Sequence, residues 1–430
     1  MDRKQKLLIF LLTFSLFVGG IYFLCYLNRI KNFNLLLITI DSLRPDHLGC
    51  YGYEKNTSPN IDKLAKEGVL FTQAIAQASW TWPSLYSLIT STYPSTHGVY
   101  FWDQVLSDSI PTLLEILKKK GYSTGFISGH GGLDNFKRGF DKFENMYEKA
   151  NKITYEALLW IKSHRNKRFF LWIHYMDTHN NSIGVPEEKH FIKNITKEEL
   201  NTYISQYDEA ISYVDSQIGI LLEKLSSLGL HEKNLIIITA DHGQEMCEHG
   251  ICFNHGGFLW DSAIKVPLIF YFPKLFSKNR IISQQAQHID IAPTICDILK
   301  LKKPKTFEGK SLLPLIKGKD IQSRFAFSEH KENKGDLSSG KWVYSKFSIR
   351  TSKFKLIYTF NSDSRGYELY NLKEDPQELN NLIDKEKEQF EFLKKKLEEW
   401  MNRPKPKIAP LTKPIDEKTK EKLKSLGYLQ

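Results

Sequence analysis

Cysteine is scarce in this 430-residue sequence, which contains five, and their spacing is not that of a disulfide framework. Cys25 lies within an apolar run. Cys247 and Cys252 are close enough in sequence to pair, although we expect unpaired buried thiols. Internal repeats are absent, and the one biased stretch is the Pro/Lys-rich link "NRPKPKIAPLTKP". A small disulfide-stapled scaffold and a repeat array are therefore excluded.

The sequence also lacks nucleic-acid-binding motifs, although its formal net charge is +11. The lysines are spread along the chain, and no helix-turn-helix, zinc-finger or RNA-binding signature accompanies them. We therefore expect no nucleic-acid partner, and anionic lipid head groups or anionic substrates instead. The sequence leaves the oligomeric state open. A hydrophobic share of 41% and a charged share of 25% indicate one large globular core plus a smaller unit.

An uncharged apolar run from Leu7 to Leu27 is long enough to cross a bilayer as a helix. The basic residues on its two sides are Arg3, Lys4, Lys6, Arg29 and Lys31. A cleaved signal peptide is the alternative, but no small-x-small cleavage site follows the run. We expect residues 1–33 to be an uncleaved single-pass anchor and linker, with the catalytic domain outside the cytoplasm.

Residues 34–322 have the pattern of a doubly wound α/β domain. "NLLLITIDS", "RFFLWIHYMDTH", "NLIIITADHG" and "VPLIFYFP" are apolar runs typical of buried parallel strands, and helical patterns lie between them. From residue 323 the chain changes to short alternating segments and then a helix, "KEKEQFEFLKKKLEEWM", which predicts a small antiparallel sheet and helix at 323–402. Residues 403–430 form a basic tail.

Polar residues that can bind a metal or catalyse follow the predicted strands. Asp41 ends the first strand, Asp177 and His179 end the second, and Asp241 with His242 end the third. Ligands of open α/β sheets bind at the edge where the strands end. Each residue alone is also typical of strand-end capping, but their joint placement favours a site.

Thr81 belongs with this set because "TWPS" stands where a helix begins. A helix cap is the alternative interpretation, since Thr is a common N-cap and Pro a common first-turn residue. Two carboxylates, an imidazole and a hydroxyl are ligands for a divalent cation, which would lower the pKa of the hydroxyl. We therefore predict one divalent ion (Mn, Zn, Mg or Ca) bound by Asp41, Thr81, Asp241 and His242, with Thr81 as nucleophile.

The segment from "LLLITIDSLRPDHLGCYGYEKNTSPN" to "ASWTWPSLYSLITSTYPSTHGV" resembles the N-terminal signature of the sulfatase family, in the alkaline phosphatase superfamily. The likeness continues through "FFLWIHYMDTH", "IIITADHGQEMCEHG", "HIDIAPTICDIL" and "YELYNLKEDPQELNNL", and so covers about Leu35 to Leu382. It implies an alkaline-phosphatase-like sheet with helices on both faces.

The resemblance also implies roles for single residues. Asp41, Asp241 and His242 match metal ligands, and Thr81 matches the nucleophile. His179 matches the histidine that holds the substrate oxygens or the leaving group. His255 falls in or beside the position of a family lysine.

The sequence departs from the family at several of these positions. Thr81 stands in place of the Cys or Ser that becomes formylglycine, and threonine cannot yield that aldehyde. The arginine that follows in the family motif is missing, Ser42 replaces the second aspartate, and no "GKWH" is present. A Thr nucleophile with Asp and His around the metal resembles the phosphoethanolamine transferase and lipoteichoic acid synthase branches, or the phosphoester hydrolases of the superfamily.

Four further residues are weaker candidates. Arg44 is an expected anion contact of the catalytic site, with a surface salt bridge as the alternative. His130 is either a substrate contact or a loop residue. A second metal at His288 and Asp290 is possible but not predicted, because these residues can equally tie a loop to the sheet.

Three functions follow from the sequence. The first is an anchored phosphate- or sulfate-ester hydrolase or transferase that uses a covalent Thr81 intermediate. The second is a sulfuric ester hydrolase without formylglycine. The third, an inactive binding protein, is disfavoured because the metal-ligand set is complete.

Overall fold

The computed structural model describes residues 5, 33–186, 189–190, 192–319, 322, 324–332, 344–361, 365–406, 411–413 and 417–425. The predicted anchor from Leu7 to Leu27 lies outside these residues. Within the described ranges, no helix is both long and apolar enough to cross a membrane.

Seventeen strands are found in the described ranges. In chain order they are β1 (Asn34–Ile40), β2 (Val69–Ile75), β3 (Gln104–Val105), β4 (Ser123–Ser128), β5 (Lys142–Asn145), β6 (Phe169–Tyr175), β7 (Asn234–Ala240), β8 (Glu245–Met246), β9 (Cys252–Asn254), β10 (Lys265–Tyr271), β11 (Arg280–Ile282), β12 (Ala286–Gln287), β13 (Ala326–Glu332), β14 (Tyr344–Arg350), β15 (Phe354–Asn361), β16 (Arg365–Asn371) and β17 (Leu411–Thr412).

The α-helices of the same ranges lie between and after these strands. They are α1 (Pro59–Glu67), α2 (Thr81–Thr90), α3 (Pro94–His97), α4 (Leu113–Lys118), α5 (Ala150–His164), α6 (Lys197–Ser227), α7 (Asp261–Ile264), α8 (Ile291–Ile298), α9 (Leu313–Ile316), α10 (Lys387–Met401) and α11 (Glu417–Ser425).

A nine-stranded sheet forms the centre of the protein, in the order β11-β2-β10-β7-β1-β6-β4-β5, with β12 also paired to β2. Every residue of β1, β6 and β7 is buried, as their continuous apolar sequences predict. These three strands are parallel neighbours, with β1 in the middle. Helices α1 and α5 pack on the sheet, α1 against β2 and β10, and α5 against β4 and β6.

The prediction of a parallel strand at "VPLIFYFP" is wrong in direction, because β10 is antiparallel to both β7 and β2. The chain leaves β7 after Ala240 and enters β10 at Lys265 with only short elements between them. The pairing of Leu268 with Thr239 shows that it re-enters the sheet near the edge where it left. Without a crossover to the opposite edge, the next strand has to run backwards.

The smaller unit has the predicted architecture, four antiparallel strands in the order β13-β14-β15-β16 with α10 packed against β14 and β15. Helix α10 contributes Leu393, Leu397 and Trp400 to the core of this unit, where they pack with Ile349 and Leu356 of the sheet. Leu393, Leu397 and Trp400 follow at helical spacing, so one face of this otherwise charged helix is apolar. The proposed domain boundaries at residues 33, 322 and 402 stay predictions.

The tail returns from the small unit to the central domain. Its strand β17 pairs with β3, and Lys413 N–H donates to the Asp103 carbonyl at 2.8 Å. Further along, α11 buries Leu423 in the main core. The described parts of the tail, residues 411–413 and 417–425, therefore lie on the central domain.

Candidate active site

The two aspartates predicted as metal ligands are neighbours because of strand register. Ile40 pairs with Ala240 in the parallel ladder of β1 and β7. The next residues, Asp41 and Asp241, therefore leave the sheet side by side. Both carboxylates are fully buried. The main-chain N–H of Ser42 bridges the two ends by donating to Asp241 Oδ1 at 3.1 Å.

Thr81 is the first residue of α2, and its hydroxyl does not cap the helix. The N-cap position is taken by Trp80, and no side-chain cap bond is present there. The Thr81 hydroxyl instead donates to Asp41 Oδ2 at 3.3 Å and lies 3.3 Å from His242 Nε2. All ten residues of α2 are buried, which positions this hydroxyl rigidly at the edge of the sheet.

Asp41, Asp241 and His242 form a compact group of three possible metal ligands, whose ligand atoms lie within 4.8 Å of one another. His242 Nδ1 lies 2.8 Å from the Gly243 carbonyl oxygen, which can only accept a hydrogen. Nδ1 therefore carries the proton, and the lone pair of Nε2 faces Thr81. Ser42 completes the hydrogen bonding by donating from its hydroxyl to Asp41 Oδ1 at 2.7 Å.

The electrostatics of this group fit a bound cation. Burial, and then the charge of Asp241, raise the pKa of Asp41 well above its usual range. Burial raises the pKa of Asp241 to about 6 and lowers the pKa of His242. In the described part of the chain, buried Asp241 Oδ2 accepts no hydrogen bond. A divalent ion would offset both buried carboxylates, and oxygen plus imidazole ligands suit Mn, Zn, Mg or Ca.

His179 and His255 lie beside this group. The His255 ring is 4.6 Å from the His242 ring and 5.0 Å from the His179 ring, between centroids. Burial lowers the pKa of His179 to about 3 and also lowers the pKa of His255, so both rings are neutral near pH 7. The structure thus brings together the two histidines that the sequence analysis predicted to contact the substrate.

His174 was missed by the sequence analysis. It lies within β6, where its register partner is Thr39 of β1. The Thr39 hydroxyl accepts from Trp172 Nε1 and lies 2.8 Å from His174 Nδ1. His174 Nε2 lies 3.8 Å from Asp41 Oδ2. Only the pairing of β1 with β6 could have indicated this histidine, because a lone His inside an apolar strand carries no local signal.

Arg44 contacts acidic side chains. Its guanidinium donates to Asp46 Oδ2 at 2.7 Å and to the Gln244 carbonyl at 3.1 Å, and it is paired with Glu248. These contacts favour the salt-bridge alternative. Its predicted anion contact stays a prediction.

His130 and His288 have different surroundings. The His130 ring lies 4.9 Å from the Trp82 ring and 6.3 Å from the His174 ring, so it belongs to the wall of the site. His288 bridges the Ser84 and Thr239 hydroxyls at 3.2 and 3.1 Å. Asp290 accepts from the Gln287 and Lys310 amides. His288 and Asp290 thus tie a loop to the sheet.

The expectation that Cys247 and Cys252 are unpaired is wrong, because the two form a disulfide. The bond closes the hairpin of β8 and β9, which connects the Asp241-His242 pair to His255. Positive φ angles at Cys247 and Gly250 turn the chain back on itself there, so that the two sulfur atoms meet. Cys50 and Cys296 are the free cysteines of the described residues.

Two family patterns match the chain. The sulfatase pattern covers residues 33–301, and the pattern described as N-sulphoglucosamine sulphohydrolase, C-terminal, covers residues 247–406. Among relatives, an ulvan-active sulfatase of Formosa agariphila is 27% identical over 429 aligned positions, covering 88% of this chain and 81% of the relative.

Solved structures share the fold. One is a protein in complex with its substrate D-glucosamine-2-N,6-O-disulfate, with a TM-score of 0.71 at 23% identity over 88% of this chain and 100% of the other. The phosphonate monoester hydrolase of Agrobacterium radiobacter has a TM-score of 0.71 at 19% identity, over 89% and 100% of the two chains. At such identities the likeness concerns the fold, which is alkaline-phosphatase-like. Because the sulfatase pattern covers residues 33–301, more than half of the sequence, the chain belongs to the sulfatase family and is a sulfatase-like ester hydrolase.

Proposed function

We propose that the protein is a membrane-anchored, metal-dependent hydrolase of anionic phosphate or sulfate esters that forms a covalent intermediate on Thr81. The observation that carries the proposal is the Thr81 hydroxyl, held 3.3 Å from both Asp41 Oδ2 and His242 Nε2 on a helix that it does not cap. A hydroxyl whose only task was to begin the helix would contact main-chain N–H groups instead.

The first step is attack of Thr81 Oγ1 on the phosphorus or sulfur atom. The hydroxyl proton passes to Asp41 Oδ2, which accepts the hydrogen bond of the Thr81 hydroxyl. A divalent cation held by Asp41, Asp241, His242 and Thr81 supplies, when bound, positive charge that favours the alkoxide form of Thr81. A bond from Oγ1 to phosphorus or sulfur forms, and the bond to the alcohol oxygen breaks.

His179 and His255 serve the leaving group in this proposal. Both are buried and neutral, and they lie edge to face at 5.0 Å next to His242. A neutral imidazole N–H can donate a hydrogen bond to the ester oxygen, and the departing alcohol oxygen takes its proton from water. Water then cleaves the Thr81 ester and restores the hydroxyl. An alcohol acceptor in place of water would make the same intermediate serve a transferase.

The substrate class rests on the relatives and the charge of the chain. A curated relative is an ulvan-active sulfatase, and a structural neighbour holds a disulfated glucosamine, so sulfated sugars are one supported class. The neighbouring phosphonate monoester hydrolase supports phosphorus esters as the other. Both are anionic, in agreement with the net charge of +11.

The location is proposed from two observations. The apolar run from Leu7 to Leu27 supports a membrane anchor. The disulfide between Cys247 and Cys252 supports a catalytic domain on the oxidising, non-cytoplasmic side, because such bonds are rare in reducing compartments. Membrane fractionation and protease treatment of intact cells test both parts, and a soluble full-length protein would contradict the anchor.

The catalytic proposal is tested by substituting Thr81. Thr81→Ala should lower turnover of aryl phosphate or sulfate esters by at least roughly a thousandfold while the protein stays folded, and Thr81→Ser should keep part of it. Thr90→Ala is the matched control, because Thr90 ends the same buried helix and its hydroxyl donates to the Tyr86 carbonyl. Acid-quenched label from a ³³P- or ³⁵S-ester should be found on the Thr81 peptide. A folded Thr81→Ala protein with normal turnover would overturn the proposal.

A further inference from the structure

The edge of the central sheet opposite the active site carries a cluster of exposed cations. Strands β1, β4 and β6 are parallel and begin at this edge, whereas Asp41 and Asp241 follow their strands at the other edge. The cations stand just before β4 and β6, and all of them except Arg168 are exposed. We call them the basic rim, which consists of Lys118, Lys119, Lys120, Arg165, Lys167 and Arg168.

The two loops of the basic rim form one surface. Arg168 Nη2 donates to the Lys120 carbonyl at 2.6 Å, and the Ser123 N–H donates to the Arg168 carbonyl at 3.0 Å. Lys118 is paired with Asp141 at 2.6 Å, and the other side chains of the rim make no ion pair within the described residues. Most of the positive charge of the rim is therefore not neutralised by this part of the protein.

The chain enters the central sheet beside this surface. The Tyr122 hydroxyl donates to the Phe33 carbonyl at 2.9 Å, and the Arg168 guanidinium lies 5.2 Å from the centre of the Tyr122 ring. Phe33 is buried, and its ring lies 4.8 Å from the Phe272 ring. Asn34 then begins β1, which pairs with β6. The basic rim therefore borders the point at which residue 33 joins the domain.

The length of chain before Phe33 keeps the basic rim close to the proposed anchor. The apolar run ends at Leu27, and an extended chain spans at most about 3.5 Å per residue, so residues 28–33 reach no further than about 20 Å. Arg29 and Lys31 add positive charge to the same short stretch. Cations near an anionic lipid surface are attracted to it, and salt screens this attraction. The linker therefore allows the rim to contact head groups and prevents a wide separation.

We propose that the basic rim rests on anionic lipid head groups and holds the domain with its active site turned away from the membrane. The orientation rests on the anchor of the proposed function. The rim adjoins the chain entry and lies at the sheet edge remote from Thr81, which favours a lipid surface over an anionic polymer as its partner.

This orientation limits the substrates of the proposed reaction. Strand β1 has seven residues, which rise about 3.3 Å each, so the metal-ligand group lies roughly 20 Å beyond the rim. Head groups of the same membrane do not reach the Thr81 hydroxyl across that distance. The ester is therefore a molecule in solution or on a polymer, and not a lipid of the membrane that holds the protein.

The contact is measured by lysine acetylation of the full-length protein in nanodiscs. One set of discs is phosphatidylcholine, and the other is an equal mixture of phosphatidylcholine and phosphatidylglycerol. Lys119, Lys120 and Lys167 should react at least about threefold more slowly on the anionic discs, and high salt should remove the difference because it screens the attraction. Exposed Lys152, at the beginning of the helix α5 that Arg165 follows, should react equally on both.

A charge variant of the rim tests whether the positive charge causes the protection. The triple variant Lys118→Gln, Lys119→Gln, Lys120→Gln should restore the reactivity of Lys167 on anionic discs. The matched control is Lys394→Gln, Lys395→Gln, Lys396→Gln, which removes the same charge from α10 of the small unit. It should leave Lys167 protected.

Equal reactivity of the rim lysines on both kinds of disc would overturn the inference and leave these cations as partners of helix C-terminal ends. Protection by soluble dextran sulfate, with none by anionic lipid, would also overturn it, because the rim would then bind a polyanion.

Failure of the proposed anchor appears separately, in flotation with vesicles of the same two compositions. An anchored protein floats with both. Flotation with anionic vesicles alone, lost in the Lys118–Lys120 triple variant, would refute the anchor and support the rim contact. Flotation with neither would overturn both.

Discussion

The Ser42 hydroxyl donates a 2.7 Å hydrogen bond to Asp41 Oδ1, at the position where the sulfatase pattern led us to expect a second aspartate. Ser42 has a positive φ of 54°, and its main-chain N–H also donates to Asp241. One serine thus connects both aspartates of the candidate metal site through hydrogen bonds, where another carboxylate would add a third negative charge. The residue at position 42 therefore decides whether the candidate metal site contains two or three carboxylates.

Ser42→Asp should make folding more dependent on the metal. Three buried carboxylates repel one another without a cation, whereas a divalent ion has one more ligand to bind. Asp also tolerates the positive φ of this position better than most residues. We expect a larger difference in melting temperature between MnCl₂ and EDTA for Ser42→Asp than for the original chain. Ser42→Ala, which adds no charge, is the control, and an unchanged difference would contradict the prediction.

Asp241→Asn should abolish metal binding while it preserves local hydrogen bonding. The side-chain oxygen of Asn can still accept from the N–H groups of Ser42 and His242, which lie 3.1 and 2.9 Å from Asp241 Oδ1. Elemental analysis after gel filtration should find about one equivalent of metal in the original protein and below about one tenth in the variant. Asp297→Asn, which alters a surface pair with Lys303, should keep its metal. Equal metal in all three proteins would argue against the site.

Removal of the disulfide should cost stability and affect His255. The double variant Cys247→Ser, Cys252→Ser opens a loop with a sequence separation of five. Loop-closure entropy for so short a loop predicts a loss of about 2 kcal/mol. His255 directly follows this hairpin. Opening the hairpin should therefore lower kcat as well as the melting temperature. Peptide mapping of the denatured, unreduced chain should find free thiols at Cys50 and Cys296 and none at Cys247 and Cys252. Free thiols at Cys247 would refute the bond.

Asp261 holds two cations at the junction of the two units. It pairs with Arg350 and Lys355, at 2.7 Å each, and Lys355 also lies 2.8 Å from buried Glu378. Burial opposes the charge of Asp261, but Arg350 and Lys355 lower its pKa. Asp261→Asn leaves the cations without their shared partner and should cost about 3 kcal/mol in urea unfolding, whereas the surface substitution Asp297→Asn should cost less than about 1 kcal/mol. Similar losses for the two variants would contradict the predicted role of burial.

His97 should make the protein sensitive to acid. Its Nδ1 accepts from the Val99 N–H at 3.1 Å, and burial lowers the pKa of the imidazole to about 3. The unfolded chain takes up this proton near the ordinary pKa of about 6.5, so stability is lost as the pH falls from about 6.5 toward 3. His97→Gln should reduce the slope of unfolding free energy against pH in that range. An unchanged slope in urea titrations would contradict the assignment.

The fold class and the grouping of Asp41, Asp241 and His242 were predictable from the sequence because both depend on short-range patterns. Continuous apolar runs predict β1, β6 and β7, and parallel strands end at a common edge of the sheet. The sequence therefore predicts that Asp41 and Asp241 lie close together at that edge. Thr81 joined them through the helix start of "TWPS", although sequence alone left the cap alternative open.

The remaining features depend on where distant segments return, and no local pattern encodes a return path. His174 faces Asp41 because β6 pairs with β1 in one register, and β10 runs antiparallel because its connection lacks a crossover. The hairpin turn brings Cys247 to Cys252, and the packing of Leu423 on Gly132 brings the tail to the active-site wall. The sequence by itself determined which strands end in candidate metal ligands, because the continuous apolar run of a buried strand is a local pattern. Tertiary structure alone decided which distant side chains surround them, because contacts between segments far apart in the chain depend on the packing of the whole domain.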